Sequence, residues 1–331
     1  MCQSVETLRT SLDLTYVWDY REDGGVRELY ARAKGAQWDG VRDLPWELSV
    51  DPEGDAFPDM SVPIWGSELW DRLSVKERRH VKHEATAWTI SQFLHGEQGA
   101  LLAASQLVEA AGTMDAKMYA ATQAVDEARH VEVYERYLRE KMQRSWPVAD
   151  PLKSLLDQVL VDRRWDMKYL GMQIMVEGLA LAAFGLMRAT TEEPLLRALT
   201  TLVMRDEARH VAFGAISLRD VYRDMSEGEL REREDFVVEA SRLMRDRFLG
   251  TEVWASLGLP VAECTKYTLQ SPVMSQFRVL LFSRIVPNLK RLGLLTPRVR
   301  PSLETIGVLE FEHLDPDADP GELLGALAPA A

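Results

Sequence analysis

The chain has 331 residues, 46% of them hydrophobic and 27% charged, with a formal net charge of -13. This is the mix of a folded globular protein with a large core, and its acidic balance argues against nucleic acid or an anionic membrane surface as the main partner. Two cysteines, Cys2 and Cys264, provide no disulfide framework, and the opening stretch MCQSVETLRTSLDL has no basic region followed by an apolar run, so a cytoplasmic location is expected.

Residues 1–73 read as an irregular, Trp-, Asp- and Pro-rich extension packed on a helical bundle, with one short helix over GVRELYARAKGA. Ser74 and Glu77 have capping-box spacing and open a long helix through VKHEATAWTISQFLHGEQGALLAASQLVEAAG. Thr113 or Asp115 caps a second helix, which carries DEARH at Asp126–His130 and ends near QRSWPVADP. Asp150 as N-cap and Pro151 as first helical residue start a third, running to about Arg188. TTEEP starts a fourth, which carries DEARH again at Asp206–His210 and ends before MSEGE. Residues 74–226 therefore form four long helices. Residues 227–331 add two or three more, broken by GLP, SPV and TPRVRP, and a loosely held tail, DPDADPGELLGALAPAA. No series of alternating strands and turns occurs, and no GxGxxG follows a strand, so the fold class is all-α. Tyr169–Met187 approaches the length of a bilayer span, but Glu177 stands near its middle. A core helix with one compensated acid is the expected reading, not a membrane helix.

The repeated DEARH carries the chemistry. Glu127 and His130 are three residues apart, as are Glu207 and His210, so each pair shares a helix face. Glu97 precedes Glu127 by 30 residues (127 − 97) and Glu177 precedes Glu207 by 30 (207 − 177), with EQGALLAA and EGLALAAF as matching surroundings. That spacing fits half a helix up, a turn and half a helix down. Each lone Glu then comes level with a Glu-x-x-His pair on the neighbouring helix. Two such hairpins stacked face to face enclose four carboxylates and two imidazoles, the ligand set of a carboxylate-bridged dinuclear site. Four buried carboxylates are prohibitively costly alone, and two divalent cations neutralise them. Solvated surface positions do not explain Glu177 in its apolar helix, nor the matched spacing. His95 points to another face than Glu97, which suits a structural or surface role. His80 and His83 lie earlier on the same helix, and His313 is expected to be solvated.

Glu97, Glu127-x-x-His130, Glu177 and Glu207-x-x-His210 resemble the ferritin-like superfamily of non-haem diiron carboxylate oxygenases and oxidases. The larger members include multicomponent monooxygenases, acyl carrier protein desaturases, arylamine N-oxygenases and the ribonucleotide reductase small subunit. The motifs cover residues 97–210, and the helical flanks suit these larger members. The resemblance implies a ferritin-like four-helix bundle with additional N- and C-terminal helices. It implies two iron ions, or a manganese and an iron, with O2 as co-substrate. Glu127 and Glu207 would be the bridging-type ligands, and Glu97 and Glu177 terminal ones free to shift. Asp126 and Asp206 would orient the histidines. Arg129 and Arg209 either pair with these aspartates or stand as exposed helix charges.

Several positions depart from individual branches. Tyr134, one turn beyond His130, matches the radical tyrosine of the ribonucleotide reductase small subunit, or is a core tyrosine. That branch usually has Asp where Glu97 stands, and no tyrosine follows Tyr267. Arylamine N-oxygenases commonly carry an extra histidine where Val203 stands, and multicomponent monooxygenases a threonine where Leu181 stands. Phe93, Leu101, Leu181, Phe184 and Phe213, with Gln173 and Tyr134 as polar members, are candidates to line a pocket. Gly178 and Gly185 suggest that it opens on the Glu177 side. Such a pocket suits an apolar, aromatic or carrier-bound substrate. NLKRLGLLTPRVRP is the only evident basic stretch for a carrier. The expected activity is an O2-dependent diiron oxygenase, monooxygenase-like, that hydroxylates or otherwise oxidises a small organic substrate. Electrons would come from an external ferredoxin or reductase, and a homodimer is compatible with the chain. The alternatives are a radical-forming oxidase acting through Tyr134, and a metal-binding protein or ferroxidase.

Overall fold

Capping chemistry decides where this chain turns helical. In the computed structural model, which describes residues 5–20, 22–54 and 57–316, Asp23 accepts from the Val26 amide and starts α1, Gly24–Gly35. The Ser74 hydroxyl accepts from the Glu77 amide, and the Glu77 carboxylate accepts from the Ser74 amide at 2.8 Å. This reciprocal cap opens α2, Val75–Ala110, whose 36 residues are roughly 54 Å long. Thr113 caps α3, Met114–Tyr137, which runs on into a π-helical turn, Leu138–Met142, closed by Gln143 in the left-handed region.

The third expected helix is two helices. α4 spans Asp150–Val161, with Ala149 as its N-cap, so Asp150 and Pro151 lie in its first turn. The chain then breaks at residues 162–164, where Asp162 turns extended and its carboxylate accepts from the Arg164 amide at 2.9 Å. The last carbonyls of α4 are not left bare. The buried Lys168 ammonium donates to Val159, Leu160 and the Gln106 side chain, and burial pulls its pKa down to about 8. α5 spans Trp165–Thr190 and contains a π-helical stretch, Leu170–Val176, immediately before Glu177. α6, Pro194–Ser217, is capped by Glu193, which accepts from the Leu195 and Leu196 amides.

Beyond it lie α7 (Glu227–Asp246), α8 (Thr251–Ser256), α9 (Val261–Gln270), α10 (Pro272–Phe282), α11 (Ile285–Arg291) and α12 (Arg300–Thr305). This exceeds the two or three helices expected, because Gly250, Gly258 and Gly293 take positive φ and turn the chain between short segments. Among the described residues there is no strand, so the fold is all-α, a helical bundle. Cys2 and the tail from residue 317 lie outside the described residues. Cys264 is buried as a free thiol, and burial raises its pKa to about 11.

α2 packs along α3 and α5 along α6, and α3 meets α6 between the two hairpins. α1 lies across α3 and α6, α4 fills in against α2 and α7, and α10 covers α5. α5 is long and apolar enough to cross a membrane, but 83% of its apolar window is buried inside the protein. Its close fit against α4 depends on Gly171, where a Cβ would lie 2.3 Å from a Val159 methyl.

Candidate metal centre

Four helices supply the six residues singled out in the sequence. α2 brings Glu97, α3 brings Glu127 and His130, α5 brings Glu177, and α6 brings Glu207 and His210. All six are at most 5% exposed. Three-residue spacing on α3 and on α6 turns each Glu and its His toward the same interior line. Two donor groups result, each with its ligand atoms within 4.8 Å of one another: Glu97, Glu127, His130 and Glu207, and Glu127, Glu177 and His210. Glu127 belongs to both. Glu207 lies 3.3 Å from His130 Nδ1 and 3.5 Å from His210 Nδ1, so it too reaches both halves.

Whether this set fits two cations is decided by its unsatisfied atoms. Glu127 Oε2, Glu177 Oε2, both Glu207 oxygens and His210 Nδ1 are buried without a hydrogen-bond partner. Orphaned carboxylate oxygens in a core are costly unless something positive meets them. Burial, then the charge of Glu207, pushes the pKa of both Glu97 and Glu177 well up. Burial pushes Glu127 the same way, but His210 and His130 outweigh it and hold its carboxyl low. Burial opposes charge on both histidines, but Glu97 beside His130 and Glu127 beside His210 lead the neighbours that raise them. Protons thus gather where cations would act. Four carboxylates and two imidazoles matched by two divalent ions is a balanced arrangement, and the donor set fits it.

The histidines are held from behind by a crossed clamp. His130 Nε2 lies 3.1 Å from Asp206, and His210 Nε2 lies 3.4 Å from Asp126. Each aspartate therefore serves the histidine of the other motif. An Nε2–H donated outward leaves Nδ1 as the lone-pair nitrogen facing the carboxylates, the tautomer a metal needs. The arginines complete the clamp. Arg129 donates to Asp126 and, at 3.2 Å, to Asp206, while Arg209 donates to Asp206 and approaches Asp126 at 3.8 Å. Both arginines are thus paired with the aspartates and are not exposed helix charges.

Sequence reasoning missed three contributors. Trp38 Nε1 donates to Asp206 at 2.8 Å and Gln37 Nε2 to Asp126 at 2.9 Å, both from the segment after α1. Arg129 stacks over the Trp38 ring at 4.7 Å. No periodicity marks these two, because the contact depends on how the N-terminal segment folds back. Gln123 could have been found, since it lies one turn before Glu127. Its Nε2 donates to Glu127 at 3.0 Å and to Glu177 at 2.9 Å, and its oxygen accepts from Gln173 at 3.4 Å.

The candidate pocket residues separate into two groups. Phe93, Tyr134 and Phe184 form one aromatic cluster, with ring centroids 4.7–6.0 Å apart. Tyr134 is fully buried, its hydroxyl has no partner, and burial with the charges of Glu97 and Glu207 raises its pKa. Phe213 lies apart, packed on Tyr119 at 4.3 Å and Tyr169 at 4.9 Å. Gln173 belongs to the amide chain behind Glu177. It passes so close to α6 that a Cβ at Gly214 would lie 2.5 Å from its own Cβ. Leu181 and Gly185 are buried and Leu101 is half-buried. The room expected at Gly178 is about a methyl deep, since a Cβ there would lie 3.6 Å from Ile285. Outside the centre, His95 is structural, bonding Gln98 and the Trp146 carbonyl. His80 and His83 gather with Glu53 at the surface.

A family model described as P-aminobenzoate N-oxygenase AurF matches residues 22–293. No curated protein matches the chain. Among solved structures, an R2-like ligand-binding oxidase with aerobically reconstituted Mn/Fe cofactor (long soak) is 17% identical, with a TM-score of 0.48 over 78% of this chain and 93% of that one. A mutant of an R2-like ligand-binding oxidase with aerobically reconstituted Mn/Fe cofactor is also 17% identical, with a TM-score of 0.45 over 84% and 93%.

Proposed function

The chain belongs to the family of the P-aminobenzoate N-oxygenase AurF, and from that premise we propose that it is a monooxygenase acting on a small aromatic substrate beside a dinuclear centre. The family membership makes it an oxidoreductase, supports the oxygenase reading and outweighs Val203 as an argument against the branch. Val203 is a fully buried apolar residue with no donor to offer, so six residues, not seven, would hold the metals. They are Glu97, Glu127, His130, Glu177, Glu207 and His210. When bound, the two iron ions, or a manganese and an iron, supply the reduced centre at which O2 is activated. N-oxygenation of an arylamine is the reaction the family favours. Hydroxylation at carbon has the same balance: one oxygen atom enters the substrate, the other leaves as water, and two electrons and two protons come from outside. A ferredoxin or reductase would deliver the electrons.

The observation that carries this reading is the aromatic cluster. Phe93 lies one turn before Glu97 and Tyr134 one turn after His130, and both pack on Phe184. A wall of rings beside the ligands suits a flat organic molecule and excludes water from it. Turnover of iron alone would call for a polar path to the centre instead. Gln123 holds Glu177 and Glu127 in place, and the crossed aspartates hold both imidazoles with Nδ1 inward. The unpartnered, buried hydroxyl of Tyr134 supports a second reading, oxidation of that tyrosine to a radical. The deciding experiment is to load the protein with iron, reduce it without air, add 4-aminobenzoate and admit O2. Oxygenated arylamine in proportion to the O2 consumed is the expected result. Oxidised iron with unchanged arylamine would favour the ferroxidase reading, and a persistent organic radical lost in Tyr134→Phe would favour the radical one.

A further inference from the structure

A second cluster of metal-ligating side chains lies well away from the dinuclear centre. Of the six histidines, His130 and His210 serve the centre and His95 is bonded at both ring nitrogens. His80 and His83 are three residues apart on α2, so one helix face presents both imidazoles. Glu53 joins them from the segment between α1 and α2, and one donor atom of each residue lies within 4.8 Å of the other two. His83 precedes Glu97 by 14 residues (97 − 83), roughly 21 Å along the helix. The cluster therefore shares no ligand with the centre.

The spacing suits a bridging ion. His80 Nδ1 stands 3.9 Å from Glu53 Oε1, too far for a hydrogen bond and near the roughly 3.4 Å that separates two ligands of a tetrahedral zinc ion. His83 is oriented from behind, because its Nε2 lies 2.9 Å from the Met142 carbonyl, which can only accept. Nε2 then carries the proton and Nδ1 keeps the lone pair, the way in which metal-binding histidines are commonly fixed. The side chains of His80 and Glu53 are 54% and 56% exposed, so an ion can enter from solvent and keep a water. We propose that Glu53, His80 and His83 bind one zinc ion, with water as the fourth ligand, and that the ion fastens the turn at residues 51–54 onto α2. Zinc has no redox chemistry, so its work here is structural. The turn lies between two existing fastenings of the same segment. Lys141 donates to the Trp46 and Leu48 carbonyls at 2.7 and 2.8 Å, and Lys82 pairs with Asp59 at 3.0 Å. Met142, behind His83, ends the π-helical turn that closes α3. The ion thus joins the N-terminal segment, the start of α2 and the end of α3, whatever the dinuclear centre oxidises.

The test uses the full chain without an affinity tag, loaded with iron so that the dinuclear centre is filled. Zinc sulfate is titrated in by calorimetry, and zinc and iron per chain are measured after gel filtration. The wild-type protein is expected to take up one zinc ion with no loss of iron. Loss of an outer partner alone costs a metal site about ten- to a hundredfold, so His80→Ala and Glu53→Ala, each of which removes a ligand, should weaken zinc by at least about tenfold. Both residues are exposed, so neither change disturbs the core, and iron content should stay the same. Hydrogen exchange gives a readout of the fastening itself. Zinc should slow exchange of the amides at residues 51–54 in the wild type and not in the two variants. Three results would overturn the proposal: no zinc uptake, uptake equal in wild type and variants, or uptake matched by iron lost, which places the zinc in the dinuclear centre. Zinc that binds through His80 and Glu53 without slowing exchange at residues 51–54 would overturn the fastening role.

Discussion

The two halves of the centre are near-copies in sequence and unlike in their surroundings. Around Glu97 the helix is regular, and the neighbours are the rings of Phe93, Tyr134 and Phe184. Around Glu177 the helix has just left a π-helical stretch, and the neighbours are amides, with Gln123 bonded to the carboxylate and Gln173 bonded to Gln123. A repeated ligand motif therefore sets where the metals sit but not which side meets the substrate. The small residues Gly178 and Gly185 had pointed to the Glu177 side. At Gly178 that room is about a methyl deep before Ile285, and an amide chain lies behind Glu177, whereas the rings gather near Glu97. Inserting an extra residue per turn in α5 shifts side chains around the helix, which is how a π-helical stretch can place the Glu177 half differently from its counterpart.

Breaking the shared part of the two halves should have the largest effect. Glu127 belongs to both donor groups, so Glu127→Ala should lower metal content from about two ions per chain to nearly none. Glu97→Ala should empty mainly one position. Elemental analysis of both variants separates a shared ligand from a terminal one, and equal losses would contradict the assignment.

The crossed clamp gives a smaller and more specific effect. Asp206→Ala should weaken the Glu97–His130 half, and Asp126→Ala the His210 half, each by about ten- to a hundredfold in metal affinity. Stepwise metal titration would show which position fails first. If each aspartate weakened the half that contains its own motif's histidine, the crossing would be wrong.

pH should separate metal-free from metal-loaded protein. Glu97 and Glu177 have raised pKa values, above an ordinary 4.5, and His130 and His210 are raised above 6.5. Over that range the metal-free folded state holds more protons than the unfolded chain, so its stability is fullest below those ordinary values and falls as pH rises through the raised ones. Metal must displace the same protons, so the stabilisation by metal should grow over the same interval. Melting curves from pH 5 to 8, with and without iron, should diverge upward in pH. Parallel curves would remove the electrostatic argument for the centre.

The smallest effect tests the amide side alone. Gly214→Ala would bring a methyl to 2.5 Å from Gln173, costing roughly 1–3 kcal/mol by overpacking. Melting should drop by a few degrees, with metal retained and the Gln123–Glu177 link disturbed. An unchanged melting temperature would mean that Gln173 moves freely and does not brace that half.

The features that were legible in the sequence are those carried by helix period. The three-residue spacing of Glu127 with His130 and Glu207 with His210, and the hairpin distance to Glu97 and Glu177, located the centre, and Ser74 with Glu77 marked the start of its first helix. The features that were not legible depend on side chains that act across the fold. Trp38 and Gln37 reach the clamp from an irregular segment, which no repeat announces. The break at residues 162–164 comes from Asp162 and Arg164 satisfying each other locally, with no Pro or Gly to advertise it.

The most direct measurement is the metal content of the full chain produced with ample iron. Two iron ions per chain, or one manganese and one iron, is the result predicted from the six ligands on four helices. A single zinc, or metal near zero in protein that is otherwise folded, would contradict the dinuclear centre and the oxygenase chemistry built on it.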